Sequence, residues 1–282
     1  MRNLTDLRTD DSGGPLMVRL LYRERPPLNE INLLQTMREH CGRVDPHKLD
    51  KHMLVFMLLD HVVTYSEGAV PAQATIVLED PPLDLGKFAS ALQQSWDWKE
   101  ARSTVAECRA GILVADLLAG ALPYKERLAL FQNVILSVLQ CAPCQAMHWI
   151  RSECVVNPEA YLRSKAPDDY DPIFPAINVR LFNITNRGPG EVLMDSVGLA
   201  TLGVPDVQCH FVGLDPTAVA RMLFNTAYYL FDRGDVIGDG HTVEGILPGQ
   251  RWRCQHEDAL LPPHRVVLDI NPGPPHAAGK RG

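Results

Sequence analysis

Long apolar runs, basic clusters and paired cysteines are all scarce in this 282-residue chain, and each scarcity excludes a class of protein. No uninterrupted apolar run approaches the ~20 residues of a membrane-spanning helix. The run 53–59 is strand-sized, and 128–139 is broken by Gln132, Asn133 and Ser137. Lys and Arg number 27 against 34 Asp and Glu, for a formal net charge of −7, and no basic cluster interleaves with aromatics. That balance argues against nucleic acid as a partner. Residues 1–15 are polar and contain Gly13-Gly14-Pro15, unlike a secretory signal or a transit peptide. The expected location is therefore the cytoplasm, with no membrane partner. Seven cysteines, an odd number, include Cys41, Cys108 and Cys209 in apolar segments. They read as reduced core thiols rather than a disulfide framework.

Catalytic signatures are equally thin. Asp11-Ser12-Gly13-Gly14-Pro15 copies the surroundings of a chymotrypsin-type nucleophile, but there the His and Asp come first, and only eleven residues precede Ser12. Gly273 to Gly279-Lys280 has five intervening residues where a phosphate loop has four, and lacks the following Ser or Thr. Asp232, Asp235, Asp239 and Gly240 lack the alternating ligands and closing Glu of a calcium loop. His256-Glu257 lacks the second His of a zinc-protease helix. Trp96, Trp98, Trp149 and Trp252 read as core or lobe-contact aromatics. Cys141-Ala142-Pro143-Cys144 has redox spacing but closes a helix, where the dipole has the wrong sign to stabilise a thiolate. The metal alternative combines Cys141, Cys144, His148 and Cys154 around a tetrahedral ion. The preferred reading is a structural loop, with no metal and no cofactor.

What the chain does have is alternating strand and helix patterning. The clearest element is a helix from Pro216, capped by Asp215 and ended by Gly234, with Val219, Met222, Leu223, Ala227, Leu230 and Phe231 on one face. Strands are expected at 179–184, 191–197 and 207–212 before it, and a closing hairpin at 251–257 and 265–270 after it. Upstream, strands are expected at 17–22, 54–59, 62–65, 74–78, 112–117 and 147–150. Helices are expected after Asn29 (Ile31, Leu34, Met37 and Cys41 inward), after Asp84 (Phe88, Leu92 and Trp96 on one face) and over 124–139. The helices begun by Asp84 and Asp215 superpose at an offset of 131 residues, each preceded by three strands. The expected fold class is α+β: mixed, largely antiparallel sheets with helices packed on one face, and room for two related β-β-β-α lobes. The expected divisions are a disordered tail at 1–15, an N-terminal lobe at 16–163 and a linker at 164–175 carrying Asp168, Asp169 and Asp171. A C-terminal lobe follows at 176–272, then a disordered tail at 273–282. Neither tail is expected to add stability.

The stretch Ser196-Val197-Gly198-Leu199-Ala200-Thr201-Leu202-Gly203-Val204-Pro205-Asp206-Val207, the helix with Tyr228-Tyr229, and Gly238-Asp239-Gly240-His241-Thr242 resemble a bacterial family known as domain of unknown function 4261. The family pattern is T-x-G-L-x-x-F-G-x-P-E-L-E, a helix, and a D-G-D-T turn. Here Ser196, Leu202, Asp206 and His241 depart from it. The resemblance extends loosely over 17–245 and brings no catalytic residues with it.

Two function classes follow. The first is a non-enzymatic cytoplasmic protein acting by protein–protein recognition. One instance is an immunity or accessory protein for an interbacterial toxin delivered by type VI secretion, its acidic surface meeting a basic toxin domain. The alternative is an enzyme with a site between the lobes drawing on His148, Asp195, Ser196, Asp239 and His241. Under the first reading, Asp195, Ser196, Gly198 and the turn 239–242 serve the backbone. Ser196→Ala and His241→Ala are then expected to cost little stability.

Overall fold

A computed structural model describes residues 13–66, 68–79, 82–185 and 189–279. The chain forms two compact units, one spanning Pro15–Ala176 and the other beginning at Ile177. Both are α+β, each built on one mostly antiparallel sheet.

The first unit runs β1 (Met17–Tyr22), α1 (Glu30–Cys41), β2 (Val44–Leu49), β3 (Met53–Tyr65), β4 (Gly68–Glu79), α2 (Ala89–Gln93), α3 (Ala101–Glu107) and β5 (Ala110–Leu117). It continues with α4 (Tyr124–Cys141), β6 (Ala146–Trp149), β7 (Cys154–Val156) and α5 (Pro158–Arg163). The sheet order is β2-β3-β4-β5-β1-β6-β7. Strand β1 is inserted between β5 and β6 and is buried on both faces, which explains its near-continuous apolar run. On one face Trp149, opposite Val18, meets Phe131 of α4 edge-on at 6.0 Å, and the Tyr22 hydroxyl donates to the Ala142 carbonyl. On the other face Leu21 joins Phe88, Ala91, Ala101 and Val105. Asp116, at the end of β5, receives Arg127 of α4 at 2.6 and 3.1 Å and the Leu16 amide at 2.6 Å, so this buried charge is paired.

Several expectations for this unit are corrected. The runs 54–59 and 62–65 are one 13-residue strand, β3, whose register shifts between Leu58 and Val62. Strand β2 was not expected because it contains Pro46 and Lys48; it lies at the sheet edge, where proline and charge are tolerated. Ile31 is 77% exposed, and Leu33, Thr36, Met37 and Cys41 form the buried face of α1. The helix after Asp84 is a 3₁₀ turn (Leu85–Phe88) followed by the five-residue α2, and Trp96 lies beyond it, 56% exposed. Residues 164–175 do not behave as a free linker. Ile173 is buried, Gln132 donates to the Pro172 carbonyl, and Lys165 donates to the Asp171 and Phe174 carbonyls. Proline and aspartate gave that segment a linker-like composition, yet Asp171 uses its carboxylate to close a turn on the Ile173 and Phe174 amides.

The second unit runs β8 (Asn178–Ile184), β9 (Glu191–Val197), β10 (Asp206–Val212), α6 (Pro216–Arg233), β11 (Thr242–Glu244), β12 (Arg251–Asp258) and β13 (Val266–Asn271). Its sheet order is β11-β12-β13-β10-β9-β8, with β10 and β13 parallel. Helix α6 begins where Asp215 accepts from the Thr217 and Ala218 amides and ends at Gly234 with φ +78, and its apolar stripe packs over β8, β9 and β10. Antiparallel three-strand meanders (β2-β3-β4 and β8-β9-β10) precede both capping aspartates, Asp84 and Asp215. The likeness stops there: β5 then joins β4 antiparallel, whereas β13 lies parallel to β10.

The expected N-terminal tail lies outside the described residues over 1–12, including Asp11 and Ser12; Pro15 accepts from Arg151 at 3.1 Å. The expected C-terminal tail is corrected over 273–279. The Val212 amide donates to the His276 carbonyl, the Ala278 amide donates to the His210 carbonyl, Ala277 bridges Phe211, and Ala278 is buried. The Val212 amide and His210 carbonyl of β10 supply the partners that make ordering this proline-rich segment favourable. Lys280 lies outside the described residues. Deleting 273–282 is expected to cost about 2 kcal/mol from the lost hydrogen bonds. Calorimetry should show the unfolding transition lowered by about 5 °C; an unchanged transition would mean that the segment adds nothing.

Candidate functional site

Four charged side chains of the second unit form a closed, buried set. Arg180 (β8) donates to Asp195 (β9) at 2.9 and 2.5 Å and to the Pro262 carbonyl at 3.0 Å. Arg265, just before β13, donates to Asp195 at 2.8 Å, Asp206 at 3.0 Å and the carbonyls of Ser196, Leu261 and Pro263. These five bonds use a guanidinium's full donor complement. Asp206 also accepts from the Ser196 hydroxyl and from the Leu199 and Ala200 amides. Burial raises the Asp206 pKa, opposed by Arg265, Ser196 and the Ala200 amide. Two arginines and two aspartates leave no net charge, the arrangement by which ions are tolerated away from water.

An open groove of about 640 Å³ lies elsewhere in the same unit, between α6 and the segment that carries β11. One wall is Ala218, Arg221, Met222, Asn225, Thr226 and Tyr229, a single stripe at i, i+3, i+4, i+7, i+8 and i+11. The other is His241 through Ile246 with Val236, Ile237 and Arg251. Strand β11 is the sheet edge and pairs only with β12. Cys254 donates to the His241 carbonyl and Gly245 to that of Gln250. Alternation of the antiparallel ladder therefore turns the main-chain groups of Thr242 and Glu244 to the free edge. Among the described residues nothing pairs with them. Gly245 ends the strand where a Cβ would come within 2.5 Å of Trp252 Nε1.

Apart from Arg180, both features fall in one recognisable stretch. Residues 195–271 match the family model for a domain of unknown function, DUF4261. That stretch is a DUF4261 domain. No curated protein and no solved structure matches the chain.

The DUF4261 motif can be read in physical terms. Gly198 (φ +127) and Gly203 (φ +77) bracket a 3₁₀ turn over Leu199–Leu202, and Asp206 holds that turn by its amides. Ser196 donates to Asp206 at 2.8 Å and accepts from the Val207 amide at 3.0 Å, so its hydroxyl is fully engaged and buried. The turn 238–241 closes with the His241 amide donating to the Gly238 carbonyl, and Gly240 has φ +82. Beside it His256 on β12 bridges two carboxylates, Nδ1 to Asp239 at 2.8 Å and Nε2 to Asp235 at 3.0 Å. Burial pulls the His256 pKa down, but the two carboxylates together raise it. The same contacts, led by the His256 amide, lower that of Asp239.

The expected catalytic set is not assembled. Ser196 on β9 and His241 beside β11 belong to strands four places apart in the sheet, about 19 Å at ordinary strand spacing. Asp195 is held by two arginines, Asp239 by His256, and the exposed His241 accepts from the Gly238 amide. His148 lies in the first unit, edge-on to Phe88 at 5.2 Å, its pKa pushed down to about 4 by burial and by Arg19. The alternative metal set is likewise dispersed. Cys141 touches Thr36, Cys154 contacts Ser152 and the Pro175 carbonyl, and burial pushes the thiols of Cys144 and Cys154 up to about 12. Among the described residues no group of three or more His, Cys, Asp or Glu is placed to hold a metal ion, and none of the seven cysteines is in a disulfide. The groove residues Arg221, Asn225, Tyr229 and Arg251 escaped the sequence reading. An exposed tyrosine in register with polar residues along the margin of the α6 core stripe was the available signal.

Ser196→Ala, expected from sequence to be mild, should instead cost about 1–3 kcal/mol by orphaning the Val207 amide. Arg265→Met should cost about 3–5 kcal/mol by leaving the buried Asp206 carboxylate without its cationic partner. Urea denaturation measures both, and values within error of the parent would mean the cluster is dispensable. The His256 clasp sets a pH window. Its raised folded pKa means the contribution is complete below the ordinary value of about 6.5 and fades as pH rises through the folded value. Asp239, shifted down, gives a contribution present above about 3.9 and lost as pH falls through its folded value. Amide protection factors in 238–241 should fall above neutrality in the parent and show no such fall in His256→Gln.

Proposed function

We propose that the protein acts by recognising another protein, and that the DUF4261 domain receives an extended segment of that partner as a strand added to β11 against α6. One observation carries this reading: an unpaired strand edge faces a helical wall across a groove, the combination used when peptides augment a sheet. The main-chain groups of Thr242 and Glu244 supply hydrogen bonds, while Met222, Tyr229, Ile237 and Ile246 offer apolar contact. Binding, not catalysis, is favoured because Asp195, Ser196 and Asp239 are engaged in structural contacts. No helix among the described residues is long and apolar enough to cross a membrane, and a cytoplasmic location belongs to this proposal. An immunity or accessory role toward an interbacterial toxin is the special case in which the partner is a toxin domain.

Panning the full chain against a display library of random extended peptides should enrich binders. Thr242→Pro removes an outward N–H without touching the β11–β12 ladder, and should abolish their binding while leaving the melting temperature unchanged. An empty selection, or binders indifferent to the proline, would overturn the reading.

A further inference from the structure

We propose that the segment received by this groove is acidic, with carboxylates on the residues that face α6; this rests on the strand-addition reading above. The lining carries Arg221 on the helix wall and Arg251 on the sheet wall, against one acid, Glu244. Both arginines are exposed, and neither forms an ion pair among the described residues. The groove is thus locally basic on a chain whose formal net charge is −7. Guanidinium groups favour carboxylates through paired, charge-assisted hydrogen bonds.

The geometry selects a strand over a free anion. From Arg221 to Tyr229, α6 rises about 12 Å. That is the length of about four extended residues, of which alternate ones point the same way. Two outward main-chain positions on β11, Thr242 and Glu244, fix the register, and Arg221 and Arg251 reach the carboxylates from the two walls. Asn225 and Tyr229 lie along the same stripe as neutral partners. A basic partner surface, expected from the overall charge, then meets the protein outside this groove.

The test compares end-capped hexapeptides alternating valine with glutamate, glutamine or lysine, titrated calorimetrically into the full chain at about 50 and about 300 mM salt. The glutamate peptide should bind at least about tenfold tighter than the glutamine peptide at low salt, with the gap narrowing at high salt. Arg221→Gln and Arg251→Gln should each shrink that gap. Inorganic phosphate at matched charge should not displace the peptide. Equal binding of the glutamate and glutamine peptides, both lost in Thr242→Pro, would overturn the acidic preference and leave strand addition standing. Binding of no peptide would overturn both, and full displacement by phosphate would reduce the groove to an anion site.

Discussion

The pairing of Arg265 with Asp195 and Asp206 is the constraint on which the second unit depends. A guanidinium with 1% side-chain exposure must satisfy every donor inside the protein. It does so by drawing together β9, the start of β10, the approach to β13 and the loop carrying Leu261 and Pro263. Because β10 and β13 run parallel, no short hairpin can bring them into register. Asp206 and Arg265, at the leading ends of these strands, hold that register. Arg180 extends the set to β8, beyond the stretch that matches DUF4261, so the domain needs a strand from outside its matched boundary to complete its own charge balance.

The exposed half of the domain is organised by lighter contacts. Strand β11 has three residues and one neighbour. Its position follows from the turn at Gly240, the close approach at Gly245 and the His256 clasp between Asp235 and Asp239. These are partly solvated interactions, individually weak and sensitive to pH and salt. A rigid ionic cluster and a more adjustable edge thus share one sheet, the arrangement expected of a surface that accepts a partner on a fixed scaffold.

Much of the architecture was legible because its signals are local. Asp215, Pro216 and Gly234 bound α6 through cap and φ requirements that any chain must meet, and β12 alternates as a half-buried strand does. Strand β2 and the docked segments 164–175 and 273–279 were missed because their composition favours loops. Their order comes from distant partners, the neighbouring β3, Gln132 and the main chain of β10. The motif around Ser196 and Asp206 was visible as a string, but not its meaning. Whether a buried serine faces a substrate or an aspartate depends on which strand lies next to it.

The sequence by itself determined the α+β class, the long helices, the position of the motif and the thin evidence for catalysis, since caps, periodicity and turn chemistry act within a few residues. Only the tertiary structure decided that Ser196 and His241 stand four strands apart, that Arg265 bridges two aspartates, and that β11 faces α6 across a groove. These depend on the order of strands in a sheet, which is set by long-range pairing and burial and leaves no mark at any single position in the chain.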